Sequence, residues 1–278
     1  SISFTPRGSA VRARQRPPFD SALPRQCRRS CHGGSVFRAI LCFVLCLVSS
    51  LTAQPALADS YRVVARYPHD SGAFTQGLFV RDGRLFESTG LYGQSEIREV
   101  RLADGAVLRR VALPTQFFGE GIADNGDEIV SLTWTSGVGF RWRRDDFIYL
   151  GYFATPFAGW GLTRSADALI ASDGSAVLRF LDPVTLGEVG RIIVTERGVP
   201  VTMLNELEWV DGEILANIWQ SSRIVRINPA TGAVLGSIDI SALARAAATS
   251  PHDPAGNGIA WDANARQLYV TGKNWTWL

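Results

Sequence analysis

The sequence predicts an all-β fold, a five-bladed β-propeller, from a phrase that occurs five times among strand-like segments and turn dipeptides. Each phrase opens on a polar or aromatic residue followed by a Gly-Leu-like step, as in Gln76-Gly77-Leu78. The phrases lie 44, 40, 45 and 52 residues apart, and such a period with strand chemistry is typical of one blade per repeat. The opening residues, here called the anchor residues, are Gln76, Glu120, Trp160, Asn205 and Asn257.

The anchor residues differ in type although the phrase around them is conserved from repeat to repeat. In a propeller the innermost strands of all blades begin near a common axis, so equivalent positions from distant sequence converge. A repeated scaffold that carries five different side chains at this position therefore predicts a site at one mouth of the central channel.

Residues 1–58 have a different composition from the rest of the chain. They contain eight arginines, one acidic residue and an apolar run, and they end in Ala56-Leu57-Ala58. This order is typical of a secretory signal peptide cleaved after Ala58. The expected organisation is a leader, 1–58, and a propeller domain, 59–278, in a protein exported to the periplasm or secreted. The apolar run is short for a membrane span, so no stable membrane association is expected after cleavage, with an uncleaved anchor as the alternative.

Composition excludes several classes of function. All four cysteines lie in the leader, which leaves the mature domain without disulfides, cysteine catalysis or cysteine-held metal. Without the leader the formal net charge is about −5, which gives no reason to expect a nucleic-acid partner. The domain keeps two histidines, His69 and His252, both in loop-like sequence, so a histidine-ligated zinc site is not expected.

Dipeptides typical of tight turns separate the predicted strands between the anchor residues. Asp82-Gly83, Asn125-Gly126 and Asp211-Gly212 separate apolar runs and predict β-hairpins. An alanine-rich segment, Ser241 to Ala248, predicts a helix inserted between the fourth and fifth repeats. The fifth repeat is short of strands, and we expect the segment Tyr61 to Tyr67 to complete it and close the ring, because closure removes exposed sheet edges.

Three tryptophans are candidates for the walls of the site. Trp134 and Trp219 each follow an anchor residue by 14 positions, so they are expected at equivalent places near the same mouth as Trp160. The alternative is that they pack between blades. Glutamine, glutamate and asparagine at the anchor positions favour a site, since such side chains are rarely buried without a partner.

Lys273 and Glu120 are the candidate charged groups. Lys273 is the single lysine of the chain, against 27 arginines, and a compact ammonium is not equivalent to a guanidinium. Glu120 is the carboxylate among the anchor residues, and burial beside tryptophan favours its neutral form while a nearby ammonium opposes this. The alternatives are a surface lysine retained by chance and an axial glutamate that ties blades together.

These residues lie in stretches that resemble the plant and bacterial type of glutaminyl-peptide cyclotransferase, or glutamine cyclotransferase, a five-bladed propeller family. The stretches cover nearly all of the mature domain in order: Phe74-Thr75-Gln76-Gly77-Leu78, Phe118-Gly119-Glu120-Gly121-Ile122, Leu132-Thr133-Trp134, Gly159-Trp160-Gly161-Leu162, Leu204-Asn205-Glu206-Leu207-Glu208-Trp209, Asn217-Ile218-Trp219 and Thr271-Gly272-Lys273-Asn274-Trp275. The resemblance implies that Glu120 is the catalytic acid and base and that Lys273 assists. It implies a substrate pocket formed by Phe74, Gln76, Phe118, Trp134, Trp160, Asn205 and Trp219.

The implied reaction converts the N-terminal glutamine of peptides or proteins to pyroglutamate, with release of ammonia. It requires no cofactor, and a structural divalent ion in the central channel is compatible with it. Two alternatives remain open from the residues alone. One is a Ca²⁺-dependent lactonase-like hydrolase that uses the anchor oxygens as ligands. The other is an exported propeller that binds peptides or sugars without catalysis.

Overall fold

The computed structural model describes residues 2–3, 57–249 and 255–278, and its regular structure is almost entirely β-strand. Most of the predicted leader and His252 therefore lie outside the described residues. Three short strands come first in the chain: β1 (Ile2–Ser3), β2 (Leu57–Asp59) and β3 (Arg62–Val63). The strands that follow form successive antiparallel sheets, and the fold is an all-β propeller.

The first three sheets each contain four strands in sequence order. Sheet 1 contains β4 (Thr75–Arg81), β5 (Arg84–Thr89), β6 (Glu96–Val100) and β7 (Val107–Ala112). Sheet 2 contains β8 (Gly119–Asn125), β9 (Glu128–Thr133), β10 (Val138–Arg143) and β11 (Tyr149–Ala154). Sheet 3 contains β12 (Leu162–Arg164), β13 (Leu169–Ser172), β14 (Val177–Leu181) and β15 (Glu188–Ile193).

The remaining sheets combine distant parts of the chain. A small hairpin of β16 (Thr195–Glu196) and β17 (Val199–Pro200) precedes sheet 4. Sheet 4 contains β18 (Leu204–Val210), β19 (Glu213–Ile218), β20 (Arg223–Ile227) and β21 (Val234–Asp239), with β2 added parallel to β21. Helix α1 (Ser241–Ala247) follows. Sheet 5 contains β22 (Gly256–Asp262) and β23 (Gln267–Gly272), then β1 and β3.

The predicted hairpin turns and helix are confirmed. Asp82 and Gly83, between β4 and β5, have φ of 53° and 72°, and Asp211 and Gly212 have φ of 48° and 91°. Two successive positive φ values are the signature of the tight turn that suits the twist of a hairpin. Helix α1 ends at Ala247, one residue before the predicted end, and its alanines pack against Trp275.

The predicted N-terminal strand is much shorter than expected. Only Arg62–Val63 of the segment 61–67 forms a strand, both residues are exposed, and β1 lies between this strand and β23. Further along, Tyr67 and Leu278 exchange two backbone hydrogen bonds of 2.9 Å. A strand at a sheet edge with no buried face has no hydrophobic pattern that fixes its pairing over several residues. This explains why the segment 61–67 forms only a two-residue strand. The predicted cleavage point, after Ala58, falls within β2.

The cores lie between neighbouring sheets. Phe79 and Phe86 of sheet 1 stack with ring centroids 4.8 Å apart and belong to one buried cluster with Ile122 and Ile129 of sheet 2. Burial of such side chains is the main stabilising contribution to a domain without disulfides. No helix within the described ranges is long and apolar enough to span a bilayer.

Candidate active site

Four of the five anchor residues lie on β-bulges of the innermost strands. The pairing register of β4 shifts between Thr75 and Gly77, and β8, β18 and β22 shift at the same place in their repeats. A bulge inserts an unpaired residue and turns its side chain away from the regular alternation. The bulges therefore explain how a strand that is otherwise buried presents one side chain to a site.

The glycines after the anchor residues bring the innermost strands into backbone contact. A Cβ on Gly77 would lie 2.6 Å from the Ile122 nitrogen, and one on Gly161 would lie 2.0 Å from the Asn205 carbonyl oxygen. Gly121 approaches Leu162 in the same way. Since no larger residue fits, the Gly step of the repeated phrase is the feature that lets sheets 1 to 4 meet edge to edge at the level of the anchor residues.

Glu206 replaces glycine in the fourth phrase, and its side chain joins three sheets. Its carboxyl oxygens accept hydrogen bonds from the Leu78 nitrogen at 3.2 Å and the Ile259 nitrogen at 2.8 Å. Asn257 continues the connection, because its Nδ2 donates to the Thr75 carbonyl oxygen and to Gln76 Oε1, both at 2.9 Å. Sheet 5 is thus linked both to sheet 4 and to sheet 1.

Glu120 is a buried acid with an electrostatic link to Lys273. Its side chain lies on β8 with 5% of the residue exposed. Burial raises the pKa of Glu120 well above its usual value, and the positive charge of Lys273 opposes this shift. Within the described part of the chain no donor is hydrogen-bonded to the Glu120 carboxyl group. Such an acid is able to hold a proton near neutral pH and to release it when a ligand changes the local charge.

Phe118, two residues before Glu120, is the centre of an aromatic group. Its ring lies 6.2 Å from Phe74 and 5.8 Å from Trp134, both edge-on. Tyr92 adds a third contact at 5.4 Å. Gly90 leaves the space for the Phe118 ring, because a Cβ there would lie 2.4 Å from it. One wall of the candidate site is therefore a half-buried aromatic surface.

Trp160 and Trp219 form a second aromatic group, edge-on to each other at 5.4 Å. Gly174, with φ of 79°, lies against Trp160, since a Cβ there would be 2.7 Å from the indole. Lys273 connects the two aromatic groups, because its Nζ lies 4.7 Å from the centroid of Phe74 and 5.9 Å from that of Trp219. An ammonium over aromatic faces is stabilised there by the ring quadrupoles.

Asn205 supplies a buried polar atom at its anchor position. It is buried, and its Oδ1 has no hydrogen-bond partner among the described residues. A buried acceptor without a partner is costly and is normally satisfied by water or a ligand. In contrast, Gln76 is already bonded through Oε1 to Asn257, which leaves its amide NH₂ as the group available for a ligand.

The structure brings the predicted residues together in one chain of contacts. Trp134, Phe118 and Phe74 lead to Lys273, which contacts Trp219, and Trp219 in turn contacts Trp160. These five contacts link sheets 1 to 5, as expected of equivalent positions in a propeller. The roles of these residues in substrate binding and catalysis stay predictions.

Sequence reasoning missed two features of this region. Tyr92, half exposed, extends the aromatic wall but lies in a turn that no repeat identifies. A buried charged cluster of His69, Glu87 and Arg98 is joined to the start of β4 by the hydroxyl of Thr75, which donates to Glu87. No local signal indicates it, since its members come from a loop and two strands. The described residues contain no group of three or more His, Cys, Asp or Glu side chains able to hold a metal ion.

Comparison with known proteins agrees with the predicted resemblance. The family model described as glutamine cyclotransferase matches residues 39–278. A glutaminyl-peptide cyclotransferase of Arabidopsis thaliana is 41% identical over 221 residues, which cover 78% of this chain and 69% of that protein. The crystal structure of Myxococcus xanthus glutaminyl cyclase superimposes with a TM-score of 0.73 at 38% identity, covering 78% of this chain and 93% of that one. The chain belongs to the glutamine cyclotransferase family.

Proposed function

We propose that this protein is a glutaminyl-peptide cyclotransferase, an acyltransferase that converts the N-terminal glutamine of peptides to pyroglutamate and releases ammonia. Family membership supports the activity. One observation assigns this activity to the site: Glu120 is a buried carboxyl group near Lys273. Burial raises the pKa of Glu120, and the charge of Lys273 partly offsets that rise. The substrate supplies its own nucleophile, so the protein needs a proton carrier rather than a nucleophilic side chain.

Glu120 is proposed to carry the proton through both halves of the reaction. As the α-amine forms its bond to the side-chain amide carbon, Glu120 takes the proton that the amine loses. The tetrahedral intermediate then breaks its bond to the amide nitrogen, and Glu120 returns the proton to the departing ammonia. General acid and base catalysis of this kind contributes roughly 100- to 10,000-fold in rate. The raised pKa supports this role, because it moves the carboxyl group from its usual acidic range towards the working pH, where proton transfer is most efficient.

Lys273 and the polar anchor residues are proposed to bind the reacting glutamine. The Lys273 ammonium, over Phe74 at 4.7 Å, and the free NH₂ of Gln76 are donors suited to the oxyanion of the tetrahedral intermediate. Asn205 Oδ1, buried and unpartnered in the described residues, suits a donor of the substrate. The aromatic groups around Phe118 and Trp160 would hold the folded side chain and exclude water, which favours the intramolecular attack.

The five sheets are proposed to be five blades of one ring, closed by the N-terminal segment. Contacts between successive sheets support this, including the Asn257 hydrogen bonds to Thr75 and Gln76. So do the two backbone hydrogen bonds that join Tyr67 and Leu278. The scheme uses protein and substrate groups alone, so we propose that no cofactor is required; a structural divalent ion in the central channel is compatible with it.

Residues 1–58 are proposed to be a leader removed on export, with the mature enzyme in the periplasm or outside the cell. The basic n-region and the small residues before position 59 support this. The charge of the remaining chain supports peptide substrates rather than nucleic acid, and no stable attachment to the membrane is proposed. The mass of the protein recovered from an expressing bacterium tests the cleavage point.

Incubation of the purified protein with Gln-Ala dipeptide tests the activity. We expect release of one ammonia per dipeptide and a product lighter by the mass of ammonia, with or without a chelator. Ala-Gln, which has the same composition and no N-terminal glutamine, is the matched control and should not react. Absence of ammonia release from Gln-Ala across a broad pH range would contradict the proposal and favour the peptide-binding alternative.

A further inference from the structure

His69 lies buried between two hydrogen-bond acceptors. Its Nδ1 is 2.8 Å from the backbone carbonyl oxygen of Trp275, and its Nε2 is 3.0 Å from Glu87 Oε1. The histidine side chain is 3% exposed and that of Glu87 is fully buried. A carbonyl oxygen accepts hydrogen bonds only, so Nδ1 must carry a proton. The protonation of Nε2 then depends on the state of Glu87.

Glu87 is ionised, because donors surround its carboxyl group. Thr75 Oγ1 donates to Oε1 at 2.6 Å, and Arg98 Nε donates to Oε2 at 2.9 Å. Burial opposes ionisation, but the charges and hydrogen bonds of His69 and Arg98 outweigh it and lower the pKa of Glu87 to about 2. An ionised carboxylate is an acceptor, so Nε2 of His69 must also carry a proton, and the ring is an imidazolium.

The surroundings of His69 favour this charged form. Burial disfavours it, but the carboxylate of Glu87 and the Trp275 carbonyl outweigh burial and raise the pKa of His69. Arg98 on β6 acts in the opposite direction, although it is also paired with Asp70 at 2.9 Å. These groups, from strands β5 and β6, the His69 loop and the C-terminal segment, are the charges and dipoles that face the ring.

The imidazolium joins sheet 1 to the segment that carries Lys273. The backbone nitrogen of His69 donates to the Thr276 carbonyl oxygen at 3.0 Å, and the Asn274 nitrogen donates to Ala73 at 2.7 Å. Asn274 Nδ2 adds a bond to the Ser71 carbonyl oxygen at 3.0 Å. Phe74 follows Ala73 directly, and Lys273 precedes Asn274. The connections therefore fix the backbone of Lys273 beside the ring over which its ammonium lies.

We propose that His69, held as an imidazolium between the Glu87 carboxylate and the Trp275 carbonyl, is a positioning residue that fixes Lys273 in the pocket. The proposal rests on the cyclotransferase function proposed above. A neutral imidazole has one N–H and loses one of the two bonds, so deprotonation weakens the connection of the Lys273 segment to sheet 1, which the hydrogen bonds of the His69 backbone and of Asn274 then maintain without the ring. His69 touches no reacting atom and acts through Lys273.

Nitrogen-15 NMR of the histidine rings tests the charge state without any assay of activity. Since the domain 59–278 contains two histidines, His69 and His252, a His252→Gln variant of the mature protein assigns the His69 signals by elimination. We expect both ring nitrogens of His69 to be protonated at pH 7.5 in the wild-type protein. A ring with one unprotonated nitrogen at that pH would overturn the proposal, whether or not the protein cyclises glutamine.

The His69→Gln variant tests the positioning role through the pH profile of kcat/KM. We expect a loss of about tenfold, the equivalent of one charged hydrogen bond, with an acid limb displaced to higher pH. The displacement follows because a loosened Lys273 no longer opposes the raised pKa of Glu120. A lower rate with an unmoved acid limb would show a structural role alone and overturn the proposal. If wild type itself releases no ammonia, the proposed function fails while the NMR result still decides the charge state.

Discussion

The pocket around Glu120 and the cluster around Glu87 place two buried glutamates in adjacent sheets under opposite conditions. Glu120 has one cationic neighbour and no hydrogen-bond donor among the described residues, and its pKa is raised well above the usual value. Glu87 is hydrogen-bonded to His69, Thr75 and Arg98, and its pKa falls to about 2. Burial is common to both, so the partners of a buried carboxyl group, rather than its depth, decide whether it stores a charge or a proton.

The comparison also separates two kinds of contribution to the enzyme. A satisfied ion cluster holds neighbouring segments in one arrangement, as Glu87 does for β4, β6 and the His69 loop. A group left without donors has a raised pKa and is able to take up a proton and return it during the reaction, at a cost in stability. The two regions are connected through Thr75, whose hydroxyl bonds Glu87 and whose neighbour Gln76 is an anchor residue.

Replacing Glu120 removes the proton carrier and is expected to have the largest effect. We expect Glu120→Gln to lower kcat for Gln-Ala by roughly 100- to 10,000-fold, with little change in melting temperature because the amide mimics the neutral acid. Ammonia release and thermal unfolding measure the two effects. Glu128→Gln, in the same sheet and paired with Arg141 at 2.6 Å near the surface, is the matched control. A folded Glu120→Gln enzyme within a few-fold of wild type would show that the assigned role is wrong.

Replacing Glu87 removes the carboxylate that pairs with the buried His69 and Arg98, leaves Arg98 with the more exposed Asp70, and is expected to affect stability most. Removal of one partner of a buried ion pair typically costs about 3–5 kcal/mol, so we expect Glu87→Gln to lower the free energy of unfolding in urea by about that amount. The depressed pKa gives the sign of its pH dependence: the stabilisation is present above about 4.5, the unfolded value, and is lost as pH falls towards about 2.

Glu96→Gln is the control for that experiment. Its contacts to Arg98 and Arg110 are long, at 3.4 and 3.6 Å, and such pairs contribute below about 1 kcal/mol. Equal losses of unfolding free energy in the Glu87 and Glu96 variants would remove the distinction between a carboxylate with short hydrogen bonds to its cations and one with only long contacts to them.

Replacing Lys273 tests the cation whose charge lowers the pKa of Glu120. We expect Lys273→Met to lower kcat/KM by roughly 100- to 1,000-fold, as for loss of an oxyanion donor, and to move the acid limb of the pH profile upward. Lys273→Arg keeps a positive charge and should leave the limb nearer to its wild-type position. An acid limb that stays in place in Lys273→Met would mean that the ammonium does not act on Glu120.

Local sequence chemistry was enough to predict the repeats, hairpins and short helix. The anchor residues and Trp134, Trp160 and Trp219 were predicted to converge because equivalent positions in a propeller meet at one axis. The bulges that turn the anchor side chains were not predictable, since they arise from pairing between strands. Likewise, His69 meets a carbonyl 206 positions away, and only the contact between the two ends of the domain brings them together.

Glu208 is an intermediate case, and its replacement is expected to have the smallest effect at low pH. It accepts hydrogen bonds from the Trp261 nitrogen at 2.6 Å and Thr163 Oγ1 at 3.0 Å, but no cation among the described residues contributes to its pKa. Burial, only partly offset by these bonds, raises its pKa from 4.5 to about 8.

The folded state therefore binds the Glu208 proton more tightly than the unfolded state does. This proton stabilises the fold fully below about pH 4.5, and the stabilisation is lost as the pH rises through about 8. We expect Glu208→Gln to unfold like wild type in urea at pH 5 and to be the more stable protein at pH 8. If the variant and the wild-type protein had the same urea stability at pH 8 as well as at pH 5, neutral donors would suffice to keep a buried carboxylate charged. In that case the contrast between Glu120 and Glu87 would lie in the number of donors and not in the presence of cations.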